Sequence, residues 1–392
     1  MGDPRGQRPL RIGLVAGEAS GDQLGAALIE ALRARAPDAE FFGVAGPKMR
    51  AQGCTTWAES DELAVMGLAE IVRHLPRLLS LRRSLTQRLL AAQPDVFIGI
   101  DAPEFNLGLA ARLRRHGIVT VQYVSPQIWA WRQGRVRAIG QACDLVLCLL
   151  PFETGFYARH GVAAEFVGHP LADQIPLDPD RAAARRQLAL DERALVVALL
   201  PGSRLGEVQR LGADFADAAA WLRAHRASMV FLAPTASDSA RALFASQLAA
   251  RAPGVAVRFL EGQAQLALAA ADAVLVASGT ATLETMLSKR PMVVAYRLSP
   301  VTAFLLRRLR LVKVTCFSQP NLLAGRALVP EFFQEQVTGE ALGRALAAEL
   351  DDPQRTALLA REFRSLHERL RRGGAGQAAE AVLALLARRD AA

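Results

Sequence analysis

Short, predominantly apolar runs recur along this chain, and they constrain its fold more than any other feature. Residues 10–16 (LRIGLVA), 41–45, 95–100 (DVFIGI), 119–124, 145–149 and 164–167 form one series, and 194–200, 229–233, 255–260, 273–277 (AVLVA) and 292–295 a second. Each is closed by a turn rich in Gly, Ser, Asp or Pro, and most are followed by a helical pattern. A run that does not alternate with polar residues must be buried on both faces, as in the middle of a parallel sheet. Parallel strands need long crossovers, and the intervening helical patterns supply them. The expectation is α/β, two doubly wound domains in tandem, with residues 177–180 (LDPD) as linker. The domains are placed at 1–172 and 173–356, with tail helices at 357–392 expected to return towards the first.

Composition sets limits on function. The chain has 392 residues, 51% hydrophobic and 22% charged, so a large core is within reach. The net charge of +9 is spread along the chain, so it is read as a bias and not as a nucleic-acid interface. Cys54, Cys143, Cys148 and Cys316 match neither a zinc spacing nor a disulfide framework, which suits a reducing cytoplasm. The first residues lack the apolar centre of a signal peptide, and no apolar run reaches the roughly 20 residues of a spanning helix.

The turns carry the chemistry. Residues 17–22 (GEASGD) follow the first strand. Their glycines do not form a dinucleotide fingerprint, and no phosphate loop ending in Gly-Lys occurs, so no nucleotide-derived cofactor is expected. Glu18, Ser20, Gly21 and Asp22 could equally cap the turn or bind substrate hydroxyls at the strand end. Asp101 closes the run at 95–100. It reads either as a helix N-cap or as a carboxylate held to accept a proton from a substrate hydroxyl. In the second series, Gly202, Ser203 and Arg204 follow one strand, and Arg204 could bind a diphosphate through two oxygens or make a surface ion pair. Ser278, Gly279 and Thr280 follow another, at a helix start whose free N–H groups suit a phosphate. Asn321 and Gln334 are candidate hydrogen-bond partners for a sugar or phosphate. Two basic amphipathic stretches, 66–92 and 301–314, are solvated faces or membrane-surface elements. The tryptophans of 125–132 (SPQIWAWR) read as packing first and as a sugar wall second.

Two tandem nucleotide-type domains suggest the GT-B glycosyltransferase architecture, in which two Rossmann-like domains face across a cleft. The chain resembles the lipid-A-disaccharide synthase family through VAGEASGD (15–22), GVAGPKM (43–49), ELAVMGLAEI (62–71), IGIDAPEFN (98–106), YVSPQIWAWR (123–132), GHPLAD (168–173), LLPGSR (199–204), ASGTATLE (277–284) and PNLLAGRALVPEFFQE (320–335). Thr282 departs from the usual pattern, as does the FSQPN lead-in at 317–321. The resemblance implies inverting, metal-free transfer from UDP-2,3-diacylglucosamine to 2,3-diacylglucosamine 1-phosphate (lipid X), giving a β-1,6 disaccharide 1-phosphate and UDP. It implies Asp101 as catalytic base, Arg204 on the diphosphate, and Glu284 on the ribose by analogy with other GT-B folds. It also implies a cytoplasmic enzyme held peripherally at the anionic inner-membrane surface, no nucleic-acid partner, and leaves room for an oligomer. A UDP-N-acetylglucosamine epimerase, a transferase with another lipid-linked acceptor and a nucleotide-sugar sensor are the alternatives.

Overall fold

A computed structural model of the chain describes residues 8–63, 68–131, 133–226, 228–298 and 316–391. The chain divides into two compact units. One runs to Asp173 and resumes at Leu370; the other is Gln174–Arg369.

The first unit holds a seven-stranded sheet. Its strands are β1 (Arg11–Ala16), β2 (Glu40–Ala45), β3 (Thr55–Glu59), β4 (Val96–Ile100), β5 (Val119–Tyr123), β6 (Leu145–Cys148) and β7 (Ala164–Phe166). They lie in the order β3-β2-β1-β4-β5-β6-β7, all parallel. The central strands β4 and β5 are buried at every position, β4 as its unbroken apolar run requires and β5 with Thr120 and Gln122 buried among its apolar residues. β3 has no such run. Its TTWAE segment is partly exposed at the sheet edge, so the pattern that reveals the inner strands is absent there.

The second unit holds a six-stranded parallel sheet: β8 (Leu195–Leu200), β9 (Met229–Thr235), β10 (Val257–Glu261), β11 (Ala273–Ala277), β12 (Met292–Tyr296) and β13 (Glu331–Phe333). The order is β10-β9-β8-β11-β12-β13. The short edge strand β13 also escapes sequence detection, since only three half-exposed residues pair with β12. In both sheets the order reverses beside the first strand, between β1 and β4 and between β8 and β11. Such switch points open a crevice at the strands' carboxyl ends, because the two neighbouring crossovers leave on opposite faces.

The tail divides where the sequence suggested a single return. The helix Pro353–Leu370 stays with the second unit up to Arg369, while Gly374–Asp390 joins the first. The latter packs on the helix Glu18–Arg33 through Ala378, Ala379, Val382 and Leu386. Val382 and Leu386 are almost wholly withdrawn from water, a gain of about 1.5–3 kcal/mol each. Asp173 fixes the helix start, its two oxygens accepting the N–H groups of Gly373 (2.9 Å) and Gly374 (2.8 Å).

The helix Leu68–Ala92 corrects part of the membrane-face expectation. Leu85 and Leu89 are buried in the first unit's own core, and Arg88 lies 4.5 Å over the Trp57 ring. Arg82 packs against Gly108, where burial and Arg112 lower its pKa. Arg77, Leu79 and Arg83 remain exposed. The second basic stretch, 301–314, and positions 66–67 lie outside the described residues. Among the described residues no helix is long and apolar enough to cross a membrane.

Candidate active site

In the first unit three strand-end turns converge on the switch point. After β1, Glu18 has φ 64°; after β4, Asp101 and Ala102 have φ 52° and 39°; after β5, Val124 has φ 76°. Left-handed backbone at non-glycine residues costs about 1–3 kcal/mol apiece and clusters where function over-determines the chain. The first two turns nearly touch: a Cβ on Gly17 would lie 2.8 Å from Ala102 Cβ.

Asp101 does not cap the helix that follows it. The N-cap of Pro103–Arg115 is Ala102, with no side-chain cap, so the Asp101 carboxylate is left for other chemistry. Burial raises its pKa; the Ala102 N–H opposes this, and the charge of Glu18 adds to the rise. A half-buried carboxylate made more basic by a second carboxylate is what proton abstraction from a hydroxyl needs. Glu18 and Ser20 are exposed. Asp22 is turned inward, against the expectation that it contacts substrate. It is 3% exposed, and its oxygens accept the N–H groups of Gly46 (2.9 Å), Lys48 (2.9 Å) and Met49 (3.0 Å). Gly21 is likewise buried, with Ala16 Cβ 3.5 Å from where its own Cβ would be.

Below the β5 turn lies a buried polar group the sequence reading missed. Glu153 accepts from Trp129 Nε1 (3.1 Å) and the Leu150 N–H (3.0 Å), and burial lifts its pKa to about 7. Trp129 therefore packs as a structural residue with its indole N–H satisfied. A lone Glu in PFETGFYA carries no sign of this environment, which is made by burial alone.

In the second unit the same position in the topology carries the donor candidates. After β8, Gly202 has φ 134°, and a Cβ there would sit 2.4 Å from Glu207 Cβ. The gap admits Glu207, which accepts the N–H groups of Ser203 (3.1 Å) and Arg204 (3.3 Å) as a capping carboxylate. Arg204 is the N-cap of Leu205–His225, its side chain 74% exposed.

After β11, Gly279 has φ 145° and caps Thr280–Leu287. Ser278 is excluded as an anion donor, because its N–H goes to Ala295 O (2.9 Å) and its hydroxyl to Phe317 O (3.0 Å). The donors left by helix geometry are the amides of Gly279, Thr280 and Ala281, with the exposed Thr280 hydroxyl. The side-chain carboxylate of Glu284, one turn on, has no hydrogen-bond partner among the described residues, and burial raises its pKa. A half-buried carboxylate without a donor is a ready acceptor for ligand hydroxyls. Thr282 is integral to the turn, donating to Gly279 O (2.8 Å) and accepting from the Gln319 N–H (3.1 Å).

Asn321 and Gln334 both hold backbone in place. Asn321 is 1% exposed; its Oδ1 accepts from the Leu328 (2.7 Å) and Val329 (2.8 Å) N–H groups, while Nδ2 donates to Val329 O (2.9 Å) and Glu331 (2.7 Å). Gln334 is 7% exposed and accepts from the Leu298 N–H at 2.8 Å. Sequence placed both in polar loops, where a saturated loop anchor and an open ligand group look alike.

Comparison with known proteins decides among the chemistries that this geometry permits. The sequence model of the lipid-A-disaccharide synthetase family matches residues 12–382. The chain belongs to the lipid-A-disaccharide synthase family. A family relative from Alkalilimnicola ehrlichii is 55% identical over 377 residues, covering 96% of this chain and 98% of its own. One from Sodalis glossinidius is 54% identical over 381 residues, covering 97% and 99%. Solved structures share the fold at much lower identity. The UDP-GlcNAc 2-epimerase of Neisseria meningitidis superposes with a TM-score of 0.64 at 11% identity, covering 97% of this chain and 100% of its own. The calicheamicin glycosyltransferase gives 0.56 at 17% identity, covering 97% and 99%. Epimerase and transferase thus share one two-domain architecture, and only the sequence match sets the family apart from both.

Proposed function

We propose that the chain joins two acylated glucosamines, with UDP-2,3-diacylglucosamine as donor and 2,3-diacylglucosamine 1-phosphate as acceptor. The observation that carries this reading is the family match across residues 12–382, with which the geometry of both units agrees. Asp101 takes the proton as the acceptor 6-hydroxyl oxygen attacks the donor anomeric carbon. The new O–C bond forms on the face opposite the breaking C–O bond to UDP, which inverts the centre and gives the β-1,6 linkage. Arg204 and the amides of Gly279, Thr280 and Ala281 meet the charge that grows on the leaving diphosphate. Glu284 accepts from the ribose hydroxyls. In this scheme the first unit binds acceptor and the second binds donor.

Lipid substrates reside in a membrane, so the enzyme works at its surface. We assign that contact to the middle of Leu68–Ala92, where exposed Arg77 and Arg83 flank exposed Leu79. Each basic residue near an anionic surface contributes about 1 kcal/mol. Flotation with anionic vesicles at low salt should carry the protein up; neutral vesicles should not, and equal behaviour in both removes the assignment.

The reaction itself is tested by incubating the protein with both acylated substrates and following UDP and disaccharide together. UDP appearing in step with disaccharide is the expected result. UDP release without disaccharide, or isomerised donor, overturns the reading.

A further inference from the structure

We propose that Asn106 and Gln122 are positioning residues for Asp101: their side-chain amides converge on its backbone carbonyl and bind three adjacent strand ends into one rigid platform. The inference rests on the reading of Asp101 as base.

The geometry is specific. Asn106 Nδ2 lies 2.9 Å from Asp101 O, 3.2 Å from Val15 O and 3.4 Å from Ile100 O, and so links the ends of β1 and β4. Gln122 Nε2 lies 3.0 Å from the same Asp101 O and 3.4 Å from both Tyr123 O and Val124 O, and so links β4 and β5. These three strand ends lead into the left-handed turns at Glu18, Asp101–Ala102 and Val124. Asp101 and Ala102 are consecutive non-glycine residues in that conformation, which the chain will not hold without support.

The core is shaped to admit the amides. Asn106 is 0% and Gln122 1% exposed. A Cβ on Gly99, in the middle of β4, would lie 2.7 Å from Asn106 Cβ and 3.1 Å from Gln122 Oε1, so any larger residue there would displace both. Neither amide oxygen finds a protein donor among the described residues. The fold therefore uses only the donor ends, and both are aimed at the carbonyl of Asp101.

The test uses the full-length chain with Gln122→Met, which keeps volume and removes the donor, and Asn106→Asp, which replaces the donor with a carboxylate. Circular dichroism and thermal melts serve as the folding control, and UDP affinity by calorimetry, read on the second unit, should stay unchanged. Gln122→Met is expected to lower kcat roughly ten- to a hundredfold, as small misplacement of a catalytic group does, with donor KM within about twofold. Asn106→Asp is expected to lower kcat in the same range, since a buried carboxyl facing three carbonyl oxygens repels them when ionised and offers a single proton when neutral. A folded Gln122→Met with wild-type kcat overturns the proposal, whether or not Asn106→Asp folds. Asp101→Asn is run alongside. If it keeps turnover, the base reading fails; if it is inactive while both amide variants match wild type, only the positioning role fails.

Discussion

Glu207 holds Arg204 from two sides: Oε2 accepts its backbone N–H at 3.3 Å, and Oε1 lies 3.8 Å from its guanidinium. The first contact fixes where the helix begins; the second is a solvent-exposed pair of the kind worth at most about 1 kcal/mol. The two residues should therefore separate by experiment. Arg204→Ala removes a charged partner of the diphosphate and should weaken UDP binding by about 1.5–3 kcal/mol, with Tm almost unchanged. Glu207→Ala removes a cap and should lower stability by about 1 kcal/mol. Calorimetry and thermal melts on both variants check this. Unchanged UDP affinity in Arg204→Ala would remove the diphosphate role.

Asp101→Asn should be inactive and yet more stable. The ionised carboxylate is disfavoured in the fold by burial and by Glu18, so its folded pKa lies above the unfolded value. The folded state then holds the proton more tightly, and stability falls as pH rises from the unfolded towards the folded pKa. At neutral pH the charge is a net cost that Asn removes, and Asn also tolerates the left-handed backbone. Turnover should fall about 10²–10⁴-fold, the usual contribution of a general base. The same raised pKa predicts that kcat/KM is lost on acidification above the ordinary carboxylate range, and that Glu18→Gln shifts this loss to lower pH.

Glu153 makes a second pH-dependent prediction. Its folded pKa is pushed up from 4.5 to about 7, mainly by burial. Its neutral form stabilises the fold fully below 4.5, and this contribution is lost as pH rises through 7, on the order of 3 kcal/mol. Trp129, whose indole N–H meets this carboxyl, should report the change as a fluorescence transition near that pH. Glu153→Gln should abolish the transition.

The anion site after β11 is open to hydrogen exchange. UDP should protect the amides of Gly279 to Ala281, while the acceptor lipid alone should not. Asn321→Ala should act differently, leaving the Leu328 and Val329 N–H groups without their acceptor and lowering stability by roughly 1–3 kcal/mol per orphaned group. If Asn321→Ala instead weakened UDP binding at unchanged Tm, its assignment as a loop anchor would be wrong.

The sequence by itself determined the two-domain α/β class and the inner strands, because a strand buried on both faces is apolar at most of its positions and so stands out even where, as in β5, Thr120 and Gln122 interrupt it. It also determined the family, through motifs spread in order along the chain. It marked Asp101, Arg204 and Gly279 because turn residues at the carboxyl ends of strands are few. The tertiary structure decided which strands are neighbours, and so placed the Glu18 and Asp101 turns at one switch point and the Arg204 and Ser278 turns at another. It decided that Asp22, Asn321 and Gln334 hold backbone in place while Glu284 keeps an open carboxylate. It found the edge strands β3 and β13, which have too little burial to leave a pattern. A polar side chain has the same letter whether its hydrogen bonds are filled by the fold or left for a ligand, and only the positions of its neighbours distinguish the two.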